Sequence, residues 1–293
     1  LICIKNYIMR NIMNPLKVTV GDVSDNAITL DVSNNILDAR NVMMKYNISR
    51  VIITDDNMPV GMVTEKDIVC FVYSFNSSRP AHEIRLAQVM GNKAPITVED
   101  SMSLTSCAKL MLNKGISSLI VTHKNSTDVG IITKTDIVDY YSKFYKRLNK
   151  VRDYMTISVF SISPDELVIE AMRLLLENKV ARIVVIKNDK AIGIITGRDL
   201  LPLTSLVSSG FEKYDKKNQF GPNMAMISLK GILFVGDIMR SSLITILSTE
   251  DLAVAGKIMI RNRISGLPVV DKNDKLKGIV TKTDILRAFS KIL

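Results

Sequence analysis

Four hydroxyl–carboxylate pairs at the spacing i, i+3 are the residues best placed to do chemistry: Thr64 with Asp67, Thr133 with Asp136, Thr196 with Asp199 and Thr281 with Asp284. Each pair ends a heptad, GMVTEKD, GIITKTD, GIITGRD or GIVTKTD, and each heptad is followed by an apolar pair. At this spacing the threonine can cap a helix while the aspartate reaches back to the cap, a capping box. A helix N-terminus also favours an anion, and a carboxylate accepts hydrogen bonds from paired hydroxyls. Capping and ligand binding therefore call on the same residues. Repetition does not separate them, because four helices need four caps.

Other chemistries find little to work with. The three cysteines, Cys3, Cys70 and Cys107, are scattered and form no C-x-x-C, which fits a reducing cytosol better than a disulfide framework or a zinc knuckle. His82 and His123 have no neighbouring ligand pattern, so neither an imidazole metal site nor a Ser-His or Cys-His pair can be assembled. No G-x-x-x-x-G-K or G-x-G-x-x-G occurs. At 47% hydrophobic and 23% charged, 293 residues can bury a core, and no apolar run is long enough to span a bilayer. The reading is a soluble, cytoplasmic chain that is not an enzyme and needs neither metal nor cofactor. Its net charge of +10 attracts polyanions without specifying which.

The elements that must position the four pairs also repeat. Upstream of each heptad lies an apolar–hydroxyl–apolar segment centred on Thr29, Thr97, Ser161 or Thr245, and further upstream stand VGDVS, LAQVM, VRDYM and VGDIM. From hydroxyl to heptad Asp the offsets are 38, 39, 38 and 39, which implies a pair of units duplicated as a pair. Twenty-one residues after the hydroxyl come Arg50, Ser118, Arg182 and Gly266, so the odd copies carry arginine there. The odd copies also place Lys66 or Arg198 directly before the Asp, while both even copies read T-K-T-D.

One unit reads as a short strand, a helix, a β-branched strand, a hairpin partner and a last helix, in the order β-α-β-β-α. Ser163-Pro164-Asp165-Glu166 predicts the helix start in the third copy and Ser248-Thr249-Glu250-Asp251 in the fourth. Asn188-Asp189-Lys190 predicts the hairpin turn, and Pro202 shortens or kinks the helix after the third heptad. A unit of this size needs a neighbour to cover its sheet. The expected division is a leader at 1–14, repeats at 15–80, 81–145, 146–207 and 235–293, and a loop insertion at 208–234. Consecutive repeats are expected to pair as 15–145 and 151–293, joined by a basic helical connector at 142–152.

Fourfold G-(I/M)-(I/V)-T-x-x-D, preceded by a D-x-M-like segment and an x-T-x strand, resembles four CBS domains, that is, two tandem Bateman modules in a stand-alone α/β protein. Two such pairs can close into a flat disc. The resemblance implies adenine-nucleotide binding in clefts between paired repeats, with the heptad Asp on the ribose hydroxyls and the heptad Thr near the phosphate. Carried over, the ribose carboxylates are Asp67, Asp136, Asp199 and Asp284. Their threonine partners are Thr64, Thr133, Thr196 and Thr281, and the first-strand residues lining the cleft are Thr29, Thr97, Ser161 and Thr245. The matched cations Arg50, Lys66, Arg182 and Arg198 are expected to grip phosphates; the competing reading is a surface ion pair.

The implied function is a regulatory sensor of AMP, ADP or ATP that transmits a conformational change to a protein target, with a homodimer through the outer helices as a further possibility. S-adenosylmethionine is the alternative ligand, disfavoured by the clustered cations. A second function class is nucleic-acid binding, because Tyr140, Tyr141, Phe144 and Tyr145 lie among Lys143, Lys146, Arg147, Lys150 and Arg152. The competing reading of that stretch is an amphipathic helix packed between the halves. Ser161 in place of threonine, Gly197, Ser24 where the other copies have Met90, Met155 and Met239, and Pro268 depart from the pattern and are expected to leave some clefts empty.

Overall fold

The computed structural model describes residues 17–74, 80–91, 94–122, 129–203 and 233–292. The 1–14 leader and the 208–234 insertion, except its last two residues, lie outside them. Strand β1 (Asp25–Asn26) is followed by the first repeat: β2 (Thr29–Asp31), α1 (Ile36–Tyr46), β3 (Arg50–Asp55), β4 (Met58–Thr64) and α2 (Glu65–Ser74). A short helix α3 (Leu86–Met90) leads into the second: β5 (Thr97–Glu99), α4 (Leu104–Asn113), β6 (Ser118–Thr122), β7 (Val129–Thr133) and α5 (Lys134–Phe144). The third comprises β8 (Ser161–Ile162), α6 (Val168–Glu177), β9 (Arg182–Lys187), β10 (Lys190–Thr196) and α7 (Gly197–Leu200). Helix α8 (Val235–Ile238) opens the fourth, with β11 (Ile246–Leu247), α9 (Leu252–Arg261), β12 (Gly266–Val270), β13 (Leu276–Thr281) and α10 (Lys282–Phe289).

The β-α-β-β-α order is therefore realised four times. In each repeat the brief first strand pairs parallel with the second, and the second pairs antiparallel with the third. The hairpin turns of the odd repeats hold two consecutive residues at positive φ, Asp56 (46°) with Asn57 (63°) and Asn188 (52°) with Asp189 (62°). Asp and Asn tolerate that region better than other side chains, and the geometry suits a two-residue hairpin. In α9 the apolar residues Leu252, Ala255 and Met259 fall on one buried stripe, as their helical spacing predicts.

Two hydrophobic cores organise the repeats. One unit comprises the described parts of 1–27, 95–158 and 244–293; the other comprises those of 28–94 and 159–243. The compact pairs are thus second with fourth and first with third, not the stretches 15–145 and 151–293. The reason lies in the helices. Helix α5 packs against α9 and α10, and α4 against α10, so the apolar stripes of the even repeats bury each other around Tyr141, Met111, Met259 and Phe289. Helices α2 and α7 meet in the same way in the odd unit.

The segments that precede the repeats, VGDVS, LAQVM, VRDYM and VGDIM with the residue after each, act as leaders that tie consecutive repeats, and the chain passes from one unit to the other after each of these leaders. Strand β1, before the first repeat, pairs with β7 of the second. The leader of the second repeat places Met90 Sδ where a Cβ on Gly61 of the first would stand. Met239, ahead of the fourth repeat, lies 2.6 Å from the Cβ position of Gly193 in the third, and Thr156 O, ahead of the third, 2.7 Å from that of Gly278 in the fourth. The heptad glycine at these three places makes room for a leader.

Three local expectations are corrected. Ser163-Pro164-Asp165-Glu166 is not the first turn of a helix, since α6 begins at Val168. Its carbonyls receive the leader of the fourth repeat instead: Val235 N–H donates to Glu166 O and Gly236 N–H to Pro164 O, both at 2.8 Å. In the fourth repeat Asp251, rather than Ser248, caps α9, its side chain accepting from Ala253 N–H at 3.0 Å. The 142–152 connector is helical only to Phe144; Arg147 takes φ 62° and its N–H donates to Asp251 at 2.7 Å, turning the chain. As Pro202 predicts, α7 ends at Leu200 and passes into a single 3-10 turn at Leu201–Leu203.

Candidate functional site

All four T-x-x-D sets form the capping box. Thr64 N–H and Oγ1–H both donate to Asp67 Oδ2, at 2.8 and 2.6 Å. The corresponding distances are 2.6 and 2.8 Å for Thr133 to Asp136, 2.8 and 2.7 Å for Thr196 to Asp199, and 2.7 and 2.8 Å for Thr281 to Asp284. One carboxylate oxygen of every set is therefore committed to the helix. The single hydroxyl proton of each threonine is committed with it, so these hydroxyls can accept from a ligand but must rotate before they donate to one.

The second carboxylate oxygen distinguishes the repeats. Asp199 Oδ1 accepts from Arg240 Nε at 2.7 Å, and Asp284 Oδ1 pairs with Arg287 of its own helix at 3.2 Å. Asp284 is 1% exposed and is one of few buried polar residues. By contrast, Asp67 Oδ1 and Asp136 Oδ1 have no hydrogen bond or ion pair among the described residues. The Asp136 carboxyl is strongly perturbed: burial first, then the like charge of Asp25, push it up to about 6 against the pull of its bonds to Thr133 and of Lys282.

Hairpin register brings the other sequence-identified residues beside these sets. Arg50 faces Thr64 and Arg182 faces Thr196 directly across their hairpins, as Ser118 faces Thr133 and Gly266 faces Thr281. Thr29, Thr97 and Ser161 stand on the first strands, paired with Ile52, Ile120 and Val184; Thr245 lies just before β11. Directly paired residues share a sheet face. Hence the rung Ser161–Val184–Ile194 runs on to Arg240, and Thr97–Ile120–Ile131 runs on to Asp25.

Lys66 and Arg198, equivalent in sequence, differ in their partners. In the even unit the two T-K-T-D sets exchange matching bonds, Lys134 Nζ to Thr283 Oγ1 at 3.0 Å and Lys282 Nζ to Thr135 Oγ1 at 2.8 Å. The odd unit keeps half of that exchange. Arg198 Nε pairs with Glu65 at 2.6 Å and its Nη1 with Asn47. Burial pushes the Glu65 carboxyl up, and Arg198 and Arg50 pull it back. The position that would answer Lys66 is Gly197, which has no side chain and open space around its Cβ position. Lys66 is exposed and makes no hydrogen bond or ion pair among the described residues.

The aromatic stretch considered as a base-stacking surface is mostly core. Tyr140 and Tyr141 are 7% and 0% exposed, Tyr145 is half-buried, and Tyr140 and Tyr145 pack edge-on against Phe289 of α10. Lys143, Lys146, Arg147 and Lys150 are exposed, and among the described residues none of them stands over an aromatic ring. This favours the amphipathic-helix reading.

Sequence reasoning missed the residues that set the environment of the carboxylates, namely Asp25, Arg240, Arg287 and Glu65. A signal was available for the first two. The residue immediately after Ser24, Met90, Met155 and Met239 in the four leaders is Asp25, Gly91, Thr156 and Arg240, four different chemistries at one repeat position. Among the described residues no group of three or more His, Cys, Asp or Glu side chains gathers as a metal site, and no helix is long and apolar enough to cross a membrane.

Comparison with known proteins agrees with this architecture. MJ1225 of Methanocaldococcus jannaschii is 25% identical over 256 residues, covering 84% of this chain and 88% of its own. Its crystal structure superimposes with a TM-score of 0.73, covering 93% of this chain and all of that one, at 23% identity. Similarity to the inosine-5'-monophosphate dehydrogenase of Thermoplasma acidophilum, 27% over 158 residues, spans 54% of this chain but 27% of the enzyme. The family model described as "CBS domain" matches residues 20–74, 87–143, 151–203 and 235–291. With four repeats matched over most of its length, the chain belongs to the CBS-domain family.

Proposed function

We propose that the chain is a non-catalytic sensor that binds an adenine nucleotide, AMP, ADP or ATP, at its T-x-x-D sets. The observation that carries this reading is the second oxygen of Asp67. Its first oxygen closes the helix cap, and its second has no partner among the described residues, beside exposed Lys66 and a hairpin that aligns Arg50 with Thr64. Such an oxygen can accept from a ribose hydroxyl while the neighbouring cations favour phosphate. Asp136 offers the same free oxygen but has the acidic Asp25 nearby. Two cations near Asp67 disfavour S-adenosylmethionine, which is itself cationic at sulfur. Signalling follows if the nucleotide binds one conformation better than another and a protein target reads the difference.

Asp67→Asn separates capping from binding. Its amide oxygen still accepts from Thr64, while its NH2 replaces the ribose acceptor with a donor. The expected result is AMP affinity at that site lowered tenfold or more, about 1.4 kcal/mol, with the melting temperature of the free protein nearly unchanged. Isothermal titration and thermal unfolding of both proteins check it. Unaltered affinity would reduce Asp67 to a helix cap.

A further inference from the structure

The four T-x-x-D sets are alike within themselves and differ in what the adjoining leader brings to them. At the third repeat's set the adjoining residue is Arg240, from the leader of the fourth repeat. Its backbone is held to β10 by two hydrogen bonds, Ile194 N–H to Arg240 O at 3.2 Å and Arg240 N–H to Ile194 O at 3.0 Å. That bridge puts Arg240 on the rung that carries Ser161, and its Nε reaches Asp199 Oδ1 at 2.7 Å. The Asp199 side chain is 6% exposed and that of Arg240 46%, so the guanidinium covers the carboxylate from the solvent side. With Oδ2 on Thr196 and Oδ1 on Arg240, both oxygens of Asp199 are engaged.

The equivalent leader residues do other things. Thr156 makes the same backbone bridge to Ile279, at 2.9 and 2.8 Å, with a neutral side chain; the arginine on Asp284 comes from its own helix. Asp25 sits opposite Ile131 and adds a like charge near Asp136. Gly91, after Met90, has no side chain to offer Asp67. One backbone position thus presents a cation, a hydroxyl, an anion or nothing.

We infer that Arg240 is a tethered plug that closes the third repeat's T-x-x-D set to ribose, and that the residue following each leader selects which repeats accept a nucleotide. A ribose diol must displace the guanidinium from Asp199, and the charged pair it would break is stronger than the neutral-donor bonds it offers in return. The guanidinium is also attached to the protein, so it competes at a high effective concentration. The inference rests on the nucleotide reading above and specifies where that reading does not operate.

The test counts AMP sites by equilibrium dialysis and isothermal titration in the full chain, comparing wild type with Arg240→Thr, which copies Thr156, the leader residue beside the fourth repeat's hairpin. The backbone bridge to Ile194 does not need the arginine side chain, so folding is expected to survive; Arg240→Gln is a second neutral variant of similar length. Removing the plug is expected to raise the AMP stoichiometry by one site per chain. Arg240→Lys, which keeps a cation on Asp199, leaves it unchanged, and adding Asp199→Asn to Arg240→Thr removes the gained site. If wild type binds AMP and neither neutral variant gains a site, the plug is refuted while the nucleotide reading stands. Weaker AMP binding in the neutral variants makes Arg240 a ligand contact, which also refutes it. No AMP binding by any of these proteins overturns both.

Discussion

Replacing Gly256 with valine is expected to cost about 3 kcal/mol or more of stability in the even unit, the largest effect of any single change considered. Gly256 sits inside α9, where an exposed glycine would cost about 1 kcal/mol relative to alanine. Here the sign reverses. A Cβ built on Gly256 collides with Ser142 Oγ of α5 and lies 3.2 Å from Val138 Cγ1 and 3.3 Å from Ile285 Cδ1. Ser142 is buried and its hydroxyl is held by a 2.7 Å bond to Val138 O, so it cannot simply turn away. Forcing extra carbons into a filled interface typically costs 1–3 kcal/mol, and β-branching leaves few rotamers to escape into. Urea unfolding measures the loss. Gly256→Ala should be milder, and Ser142→Ala should recover part of it, a coupling expected only of residues in contact. A fully additive double mutant would mean that the two helices can move apart freely.

That contact also explains what the sequence showed and what it hid. The odd–even alternation was visible in Arg50 and Arg182 against Ser118 and Gly266, and in the twin T-K-T-D sets. As a sequence pattern it implies a pair of units duplicated as a pair. The structure gives the twin sets a physical cause: Lys134 and Lys282 each bond the other set's threonine, so the two copies must agree with one another. Same-parity likeness was a contact signal. The hairpins, the short first strands and the heptad caps were legible because each depends on residues within a few positions. The expected helix starts in the third and fourth repeats differ from the observed ones because the carbonyls of Pro164 and Glu166 answer to Gly236 and Val235, and those of Ser248 and Glu250 to Arg152 and Val151, each far away in sequence. Local capping rules cannot see a partner that distant in sequence.

The candidate site divides along the same line. The 21-residue offset is a register relation, since the hairpins set Arg50 opposite Thr64 and Arg182 opposite Thr196. The partners of the carboxylates were not legible, because they come from leaders and neighbouring helices. Glu65 beside Arg198 is a contact between the first and third repeats, and Arg240 beside Asp199 comes from the leader of the fourth. Both place an ion pair where sequence alone allowed a phosphate grip. Lys66 is the exception, and it owes that to the missing side chain of Gly197.

Stability of the even unit should fall as pH rises from about 4 to about 6, and Asp136→Asn should abolish that dependence. In the fold the Asp136 carboxyl is held up to about 6, against an ordinary value of 3.8, chiefly because it is buried. Asp25 adds to the rise and the bonds from Thr133 and the charge of Lys282 oppose it; Cys107, the other titratable group coupled to it, is itself pushed up to about 12 and stays neutral here. Below about 4 the carboxyl is protonated in both the folded and unfolded chain, and its stabilising contribution is complete. Between the two values the unfolded chain releases the proton while the fold retains it, so the fold binds more protons and loses stability as they become scarce. Above about 6 both forms are ionised and the loss is complete. At about 1.4 kcal/mol per pH unit across that interval, the loss is on the order of 2 kcal/mol after allowance for relaxation around the carboxylate. Asparagine keeps an oxygen to accept from Thr133 N–H and Oγ1–H, so the cap survives, and its amide faces Asp25 without repulsion. The variant should therefore be the more stable protein at pH 7.5 by roughly that amount and lose most of the advantage by pH 4.5, where other carboxyls titrate alike in both proteins. Urea unfolding of both chains at those two pH values, without nucleotide, measures the difference. Equal stability of the two proteins at pH 7.5 would mean that Asp136 ionises in the fold without penalty.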